Sequence, residues 1–166
     1  MTSIVYTSNT GYTEQYAKML AKKTNLPIYS LEQASEKLKP TDEIIYFGWL
    51  MAGAVVNYKV AAKHFKIKAV CAVGLCETGT ITEKVRKTNS IPESVALFTL
   101  QGGYSPKKLK GMHKFIMSLV TKALIKKIEK INSPRESDIE MKNALINGGS
   151  FVKEENLAEI EAFLNN

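Results

Sequence analysis

Ser3-Ile-Val-Tyr-Thr7, then Ser8-Asn9-Thr10-Gly11-Tyr12-Thr13, then a run from Glu14 in which Tyr16, Ala17, Leu20 and Ala21 recur at helical spacing: this opening stretch decides the fold. The first segment is short, apolar and β-branched, and reads as a buried strand. The third reads as an amphipathic helix with lysines on its other side. Between them lies a turn of hydroxyls, one amide and one glycine. Helix N-termini present unpaired N–H groups and a positive dipole end, which suit a phosphate. Ser8, Thr10 and Thr13 each add a hydroxyl donor, and Gly11 lets the backbone turn close to an anion. The turn lacks the Gly-Lys-Ser/Thr of a nucleoside-triphosphate loop and the Gly-x-Gly-x-x-Gly of a dinucleotide loop. From spacing alone an ordinary capped turn reads equally well, because Ser, Thr and Asn are the favoured caps.

Working outward, strands and helices alternate. Pro27–Leu31 reads as a second strand, followed by a short polar helix to Lys39 that Pro40 stops. Glu43–Gly48 is a third strand, and a helix is expected over Val55–Phe65. Lys68–Leu75 and Ala96–Gln101 complete the set of strands. They are near-continuous apolar runs, which a parallel sheet covered on both faces demands. After them a long amphipathic helix is expected over Lys107–Ile131, then a polar stretch over Asn132–Ser150. A closing helix spans Glu154–Leu164, with Leu157, Ile160, Phe163 and Leu164 on one face. The expectation is one α/β domain over residues 1–166, elaborated at about 105–150.

With strand and helix on either side, Thr7-Ser-Asn-Thr-Gly-Tyr-Thr13 resembles the Ser/Thr-x-Thr-Gly-x-Thr signature of flavodoxins. The resemblance implies a three-layer flavodoxin-like fold, a five-stranded parallel sheet of order 2-1-3-4-5 with helices on both faces. It implies FMN as cofactor, with Ser8, Asn9, Thr10, Gly11, Tyr12 and Thr13 around its phosphate. The flavin ring would lie between Gly48-Trp49-Leu50-Met51-Ala52-Gly53 and Leu75-Cys76-Glu77-Thr78-Gly79. Trp49 would stack on the ring and Gly53 would free a peptide beside it, although a lone Trp also reads as a core aromatic. Cys76 reads more readily as a small buried hydrophobe than as a reactive thiol. Gly102-Gly-Tyr-Ser-Pro and the basic run after it resemble, more loosely, flavodoxin-type protoporphyrinogen IX dehydrogenases, which pass electrons to a membrane quinone. The implied function is electron transfer or oxidoreduction through the flavin. Its partner would be a redox protein, a quinone or a small-molecule substrate.

Charge sharpens the question of partners. The chain of 166 residues carries a formal +7, and Lys107–Lys130 holds eight lysines against one acid, Glu129, a net +7 by itself. Leu109, Met112, Ile116, Leu119, Val120, Ala123 and Leu124 are expected to form the packing stripe of that helix, with Lys107, Lys110, Lys114 and Lys122 largely opposite. Such a face suits peripheral contact with an anionic membrane or an acidic partner. Nucleic acid is a poor fit, because Phe115 is the lone aromatic of the segment. Two cysteines are too few for a zinc knuckle or a disulfide framework. They accord with a reducing, cytoplasmic setting, as does an N-terminus without signal-peptide pattern. His64 and His113 have no partners at metal-ligand spacing, and no serine elbow or acid pair is present. A phosphoryl-receiving signalling domain needs clustered acids after the first strand and an Asp ending the third. Here stand Thr-Ser-Asn and Phe-Gly-Trp.

Overall fold

A computed structural model describes residues 1–165. Two compact units emerge, one of residues 1–102 with 152–165 and one of residues 103–151.

The first unit is built on β1 (Thr2–Thr7), β2 (Ile28–Ser30), β3 (Glu43–Met51), β4 (Ala54–Val55), β5 (Lys66–Gly74) and β6 (Ala96–Gln101). The sheet runs β2-β1-β3-β5-β6 with all neighbours parallel, and β4 folds back antiparallel on β3. Leaving β4 aside, that is the expected order 2-1-3-4-5. Its helices are α1 (Tyr12–Thr24), α2 (Leu31–Lys37), α3 (Tyr58–His64), α4 (Thr82–Asn89) and, closing the chain, a 3₁₀ turn (Glu154–Leu157) running into α7 (Ala158–Asn165).

Alternate strand residues point to opposite faces, and here both faces are apolar. Val5, Ile44, Tyr46, Val70 and Ala72 meet Ala34 of α2, Tyr58 and Ala61 of α3 and Val85 of α4. Ile4, Ile45, Phe47, Ala69, Cys71 and Val73 meet Tyr16, Ala17 and Leu20 of α1, and Leu157 and Ile160 from the chain's end. That is why the strands read as unbroken apolar runs.

The second unit has α5 (Gly111–Glu129) and α6 (Glu136–Asn147), with the short ribbon β7 (Gly103–Tyr104) and β8 (Gly149–Ser150) pairing antiparallel. Two expectations change here. Asn132–Ser150 is largely helix, because Asp138 accepts the Arg135 backbone N–H at 2.9 Å and starts α6, whose Ala144 and Leu145 are buried. The Arg135 side chain holds the Asp138 carboxyl below the usual carboxylate range. In α5 the expected packing stripe is turned out in part. Met112, Leu119, Val120 and Ala123 are exposed, Ile116 and Leu124 are half-buried, and Leu109, ahead of the helix, is buried. The inner side is instead Thr121, which is buried, with Met117, Leu124, Ile125 and Ile128 half-buried. The helix that covers the sheet after β6 is α7.

Candidate functional site

Register places the ends of the parallel strands side by side. Thr7 pairs with Gly48, Gly48 with Ala72, Trp49 with Val73, and Gly74 with Gln101. The loops at 8–11, 49–53 and 75–79 therefore leave the sheet along one edge, at its carboxyl ends. The strand order reverses between β1 and β3, and ligands of open α/β sheets bind at such a switch point.

The loop at 8–11 is shaped by its own side chains. Gly11 N–H donates to Ser8 Oγ at 3.2 Å, which leaves the serine proton to donate elsewhere. Gly11 has φ 98°, a left-handed conformation that a side chain would strain. It is the N-cap of α1 and makes no side-chain cap of the helix start. Thr13 is buried in the first turn, while Ser8, Thr10 and Tyr12 are half-buried and Asn9 is exposed. The one acid of that turn, Glu14, is paired with Lys18 at 2.7 Å. That hydrogen bond draws the Glu14 carboxyl below its ordinary range. The donor set is hydroxyls, an amide and helix N–H groups with the local negative charge neutralised, which fits a phosphate monoester.

Tyr46 ties this loop to its neighbour. Its hydroxyl lies 2.9 Å from Thr7 Oγ1 and 2.8 Å from the Val56 carbonyl. One phenolic proton cannot serve both, so it goes to the carbonyl, which can only accept, and Thr7 donates. Burial pushes the phenol up to about 12.

The second loop is a hairpin that the sequence reading missed, having placed Val55 in the following helix. Leu50 pairs with Val55 and Met51 with Ala54, so Ala52 and Gly53 form a two-residue turn. Both have positive φ, 51° and 84°, as a type I′ hairpin requires. Alanine is uncommon there, and the turn is held from outside by Asn89. This side chain, 6% exposed, accepts from Val55 N–H at 2.8 Å and donates to the Gly53 carbonyl at 2.9 Å and the Val85 carbonyl at 2.8 Å. Gly53 thus supplies the turn, but its carbonyl is clamped. Asn89 carries no motif signal in the sequence; its burial on α4 is what reveals it. Trp49 is half-buried at the end of β3, Leu50 and Met51 are half-buried, and Gly48 is buried where a Cβ would meet Val55 Cγ1 at 2.5 Å.

The third loop is stitched to the end of β6. Gln101 N–H donates to Thr78 Oγ1 at 3.0 Å, Gln101 Nε2 to the Leu75 carbonyl at 3.3 Å, and Gly79 N–H to the Thr99 carbonyl at 2.9 Å. Cys76 is exposed, which corrects the expectation of a small buried hydrophobe. Cys71 is the buried thiol, and desolvation raises it well above an ordinary cysteine. Lys107, Lys110, Lys114 and Lys122 belong to the second unit and are exposed. Among the described residues no cluster of His, Cys, Asp or Glu is placed to hold a metal ion.

Comparison with curated proteins finds no match. Among solved structures, a protein of Bacteroides uniformis ATCC 8492 provisionally assigned as a flavoprotein is 13% identical, with a TM-score of 0.40 over 60% of this chain and 88% of that one. The flavodoxin-domain family model matches residues 3–133, and the chain belongs to that family.

Proposed function

We propose that this protein binds FMN at the carboxyl edge of its sheet and works in electron transfer or oxidoreduction. The carrying observation is the loop at 8–11 opening onto an uncapped α1, with Ser8 bent back on Gly11 and Glu14 neutralised by Lys18. In this reading Ser8, Thr10 and Thr13 hydroxyls, the Asn9 amide and the α1 N–H groups hold the phosphate. The hairpin at 49–53 and the loop at 75–79 flank the ring, with Trp49 as stacking surface. Bound flavin supplies one- and two-electron transfer; the chain supplies binding, orientation and electrostatics. Neither ring loop offers an aromatic besides Trp49, which leaves one flavin face open to a partner protein, a quinone or a small substrate.

A narrower reading, a quinone-linked enzyme like the protoporphyrinogen IX dehydrogenases, is favoured by one observation, the exposed basic α5. No helix among the described residues is long and apolar enough to cross a membrane, so such an enzyme would work from the membrane surface.

The test is the absorbance of freshly purified protein together with its melting temperature as FMN is added. Flavin bands and a stabilisation of about 2.7 kcal/mol at a hundredfold excess over Kd are expected. A colourless protein whose melting FMN leaves unmoved overturns the proposal.

A further inference from the structure

Helix α5 exposes apolar side chains in a row. Met112 is 77% exposed, Phe115 66% and Leu119 55%. At about 100° per residue these three fall within roughly 60° of one another on the helix. Lys122 and Lys126 carry the same side of the helix into its next turns, and both are exposed. All eight lysines between Lys107 and Lys130 are exposed, and the one acid among them, Glu129, is engaged by Lys142 at 2.8 Å. One side of α5 is therefore apolar in its first half and cationic in its second. Scattered exposed apolar residues are ordinary on a protein surface; three large ones in helical register beside a lysine field are not.

We infer that this side of α5 docks on an anionic lipid surface. Phe115, Met112 and Leu119 would enter the boundary between headgroups and acyl chains. The lysine stems would run along it with their ammonium groups among the phosphates. The chemistry favours lipid over other anions. The cations from Lys107 to Lys130 are all lysine, compact charges suited to a diffuse anionic surface, without the guanidinium fork that reads phosphates or carboxylates in bidentate fashion. A nucleic acid would leave the apolar row uncovered. An acidic protein would have to present an apolar patch of its own inside its acidic field. The inference does not depend on flavin binding.

The experiment is co-sedimentation of the full chain with phosphatidylcholine vesicles, with and without 30% phosphatidylglycerol. Wild-type protein is expected to pellet with the anionic vesicles at low salt, to be released as salt rises, and to ignore the neutral ones. Lys122→Gln with Lys126→Gln should weaken partitioning about thirtyfold, from the contribution of each lysine near such a surface. Phe115→Ser with Leu119→Ser should weaken it at least tenfold, and circular dichroism should show all variants folded. No pelleting at low salt overturns the inference. So does equal pelleting of wild type and both variants, or binding to polyglutamate or a DNA duplex but not to vesicles.

Discussion

Of the helices that follow β6, α5 and α7 both carry large apolar residues at helical spacing. In α7 and the turn before it, Leu157 and Ile160 are fully buried and the Phe163 ring packs 5.8 Å from that of Phe98. In α5 the large side chains Met112, Phe115 and Leu119 stand in water. Periodicity shows that a face is fit for burial; it does not say what covers it. A sheet face that α1 covers in part leaves room for one more helix, and α7 takes it.

The comparison breaks if the two helices respond alike to truncation. Ile160→Ala should cost about 2–5 kcal/mol, because it opens a cavity in a face that cannot collapse freely. Urea denaturation measures it. A cost under 1 kcal/mol would mean that α7 does not seal the sheet.

Tyr46 tests the interior of the same unit by pH. Its folded value is raised from 10.0 to about 12 by burial. Between those values the unfolded chain has released the proton and the folded one keeps it, so stability falls as pH rises. Below pH 10 the contribution is fully present. The stability gap between wild type and Tyr46→Phe should be constant up to about pH 10, then narrow by about 1 kcal/mol per pH unit. A gap that stays flat to pH 11.5 would mean that the phenol is solvated.

Asn89 comes next. Asn89→Ala unpairs Val55 N–H and the carbonyls of Gly53 and Val85, and should cost about 1–3 kcal/mol. Hydrogen exchange of the Val55 amide should accelerate with it. Unchanged exchange would mean that the hairpin holds without its clamp. The smallest effect belongs to α5, where Phe115→Ala should change stability by less than about 0.5 kcal/mol. A loss of 2 kcal/mol or more would place Phe115 in a core.

These contrasts also mark what was legible in the sequence. The five parallel strands were, because burial on both faces makes the central ones, β3 and β5, near-continuous apolar runs, with the half-buried β2 at the edge. The place of the loop at 8–11 was, because hydroxyls and a glycine between a strand and a helix mark a turn; a phosphate there was implied only by the resemblance to flavodoxins, since spacing alone fits an ordinary capped turn equally well. The 50–55 hairpin was hidden. Its turn is Ala52-Gly53 without the Asn-Gly or Asp-Gly signal, and its strongest support is Asn89, distant in sequence. Helix α6 was hidden by polar residues around a small buried face of Ala144 and Leu145. In α5 two apolar stripes lie side by side, the expected one through Met112, Ile116, Leu119, Val120, Ala123 and Leu124, and the half-buried one through Met117, Leu124, Ile125 and Ile128. The period is the same for both, so spacing could not choose. Cys76 was misjudged because its residue type is commonly buried and its loop is not.

The claim that the loop at 8–11 and the first turn of α1 anchor a phosphate is tested most directly by calorimetric titration of wild type and Thr10→Ala with FMN and with riboflavin. The account predicts that wild type binds FMN far more tightly than riboflavin. Thr10→Ala should lose about tenfold or more in FMN affinity, as expected for one hydrogen bond to a charged group. Its riboflavin affinity should hardly change. Equal affinity of wild type for the two flavins, or an equal loss of both in Thr10→Ala, would contradict it.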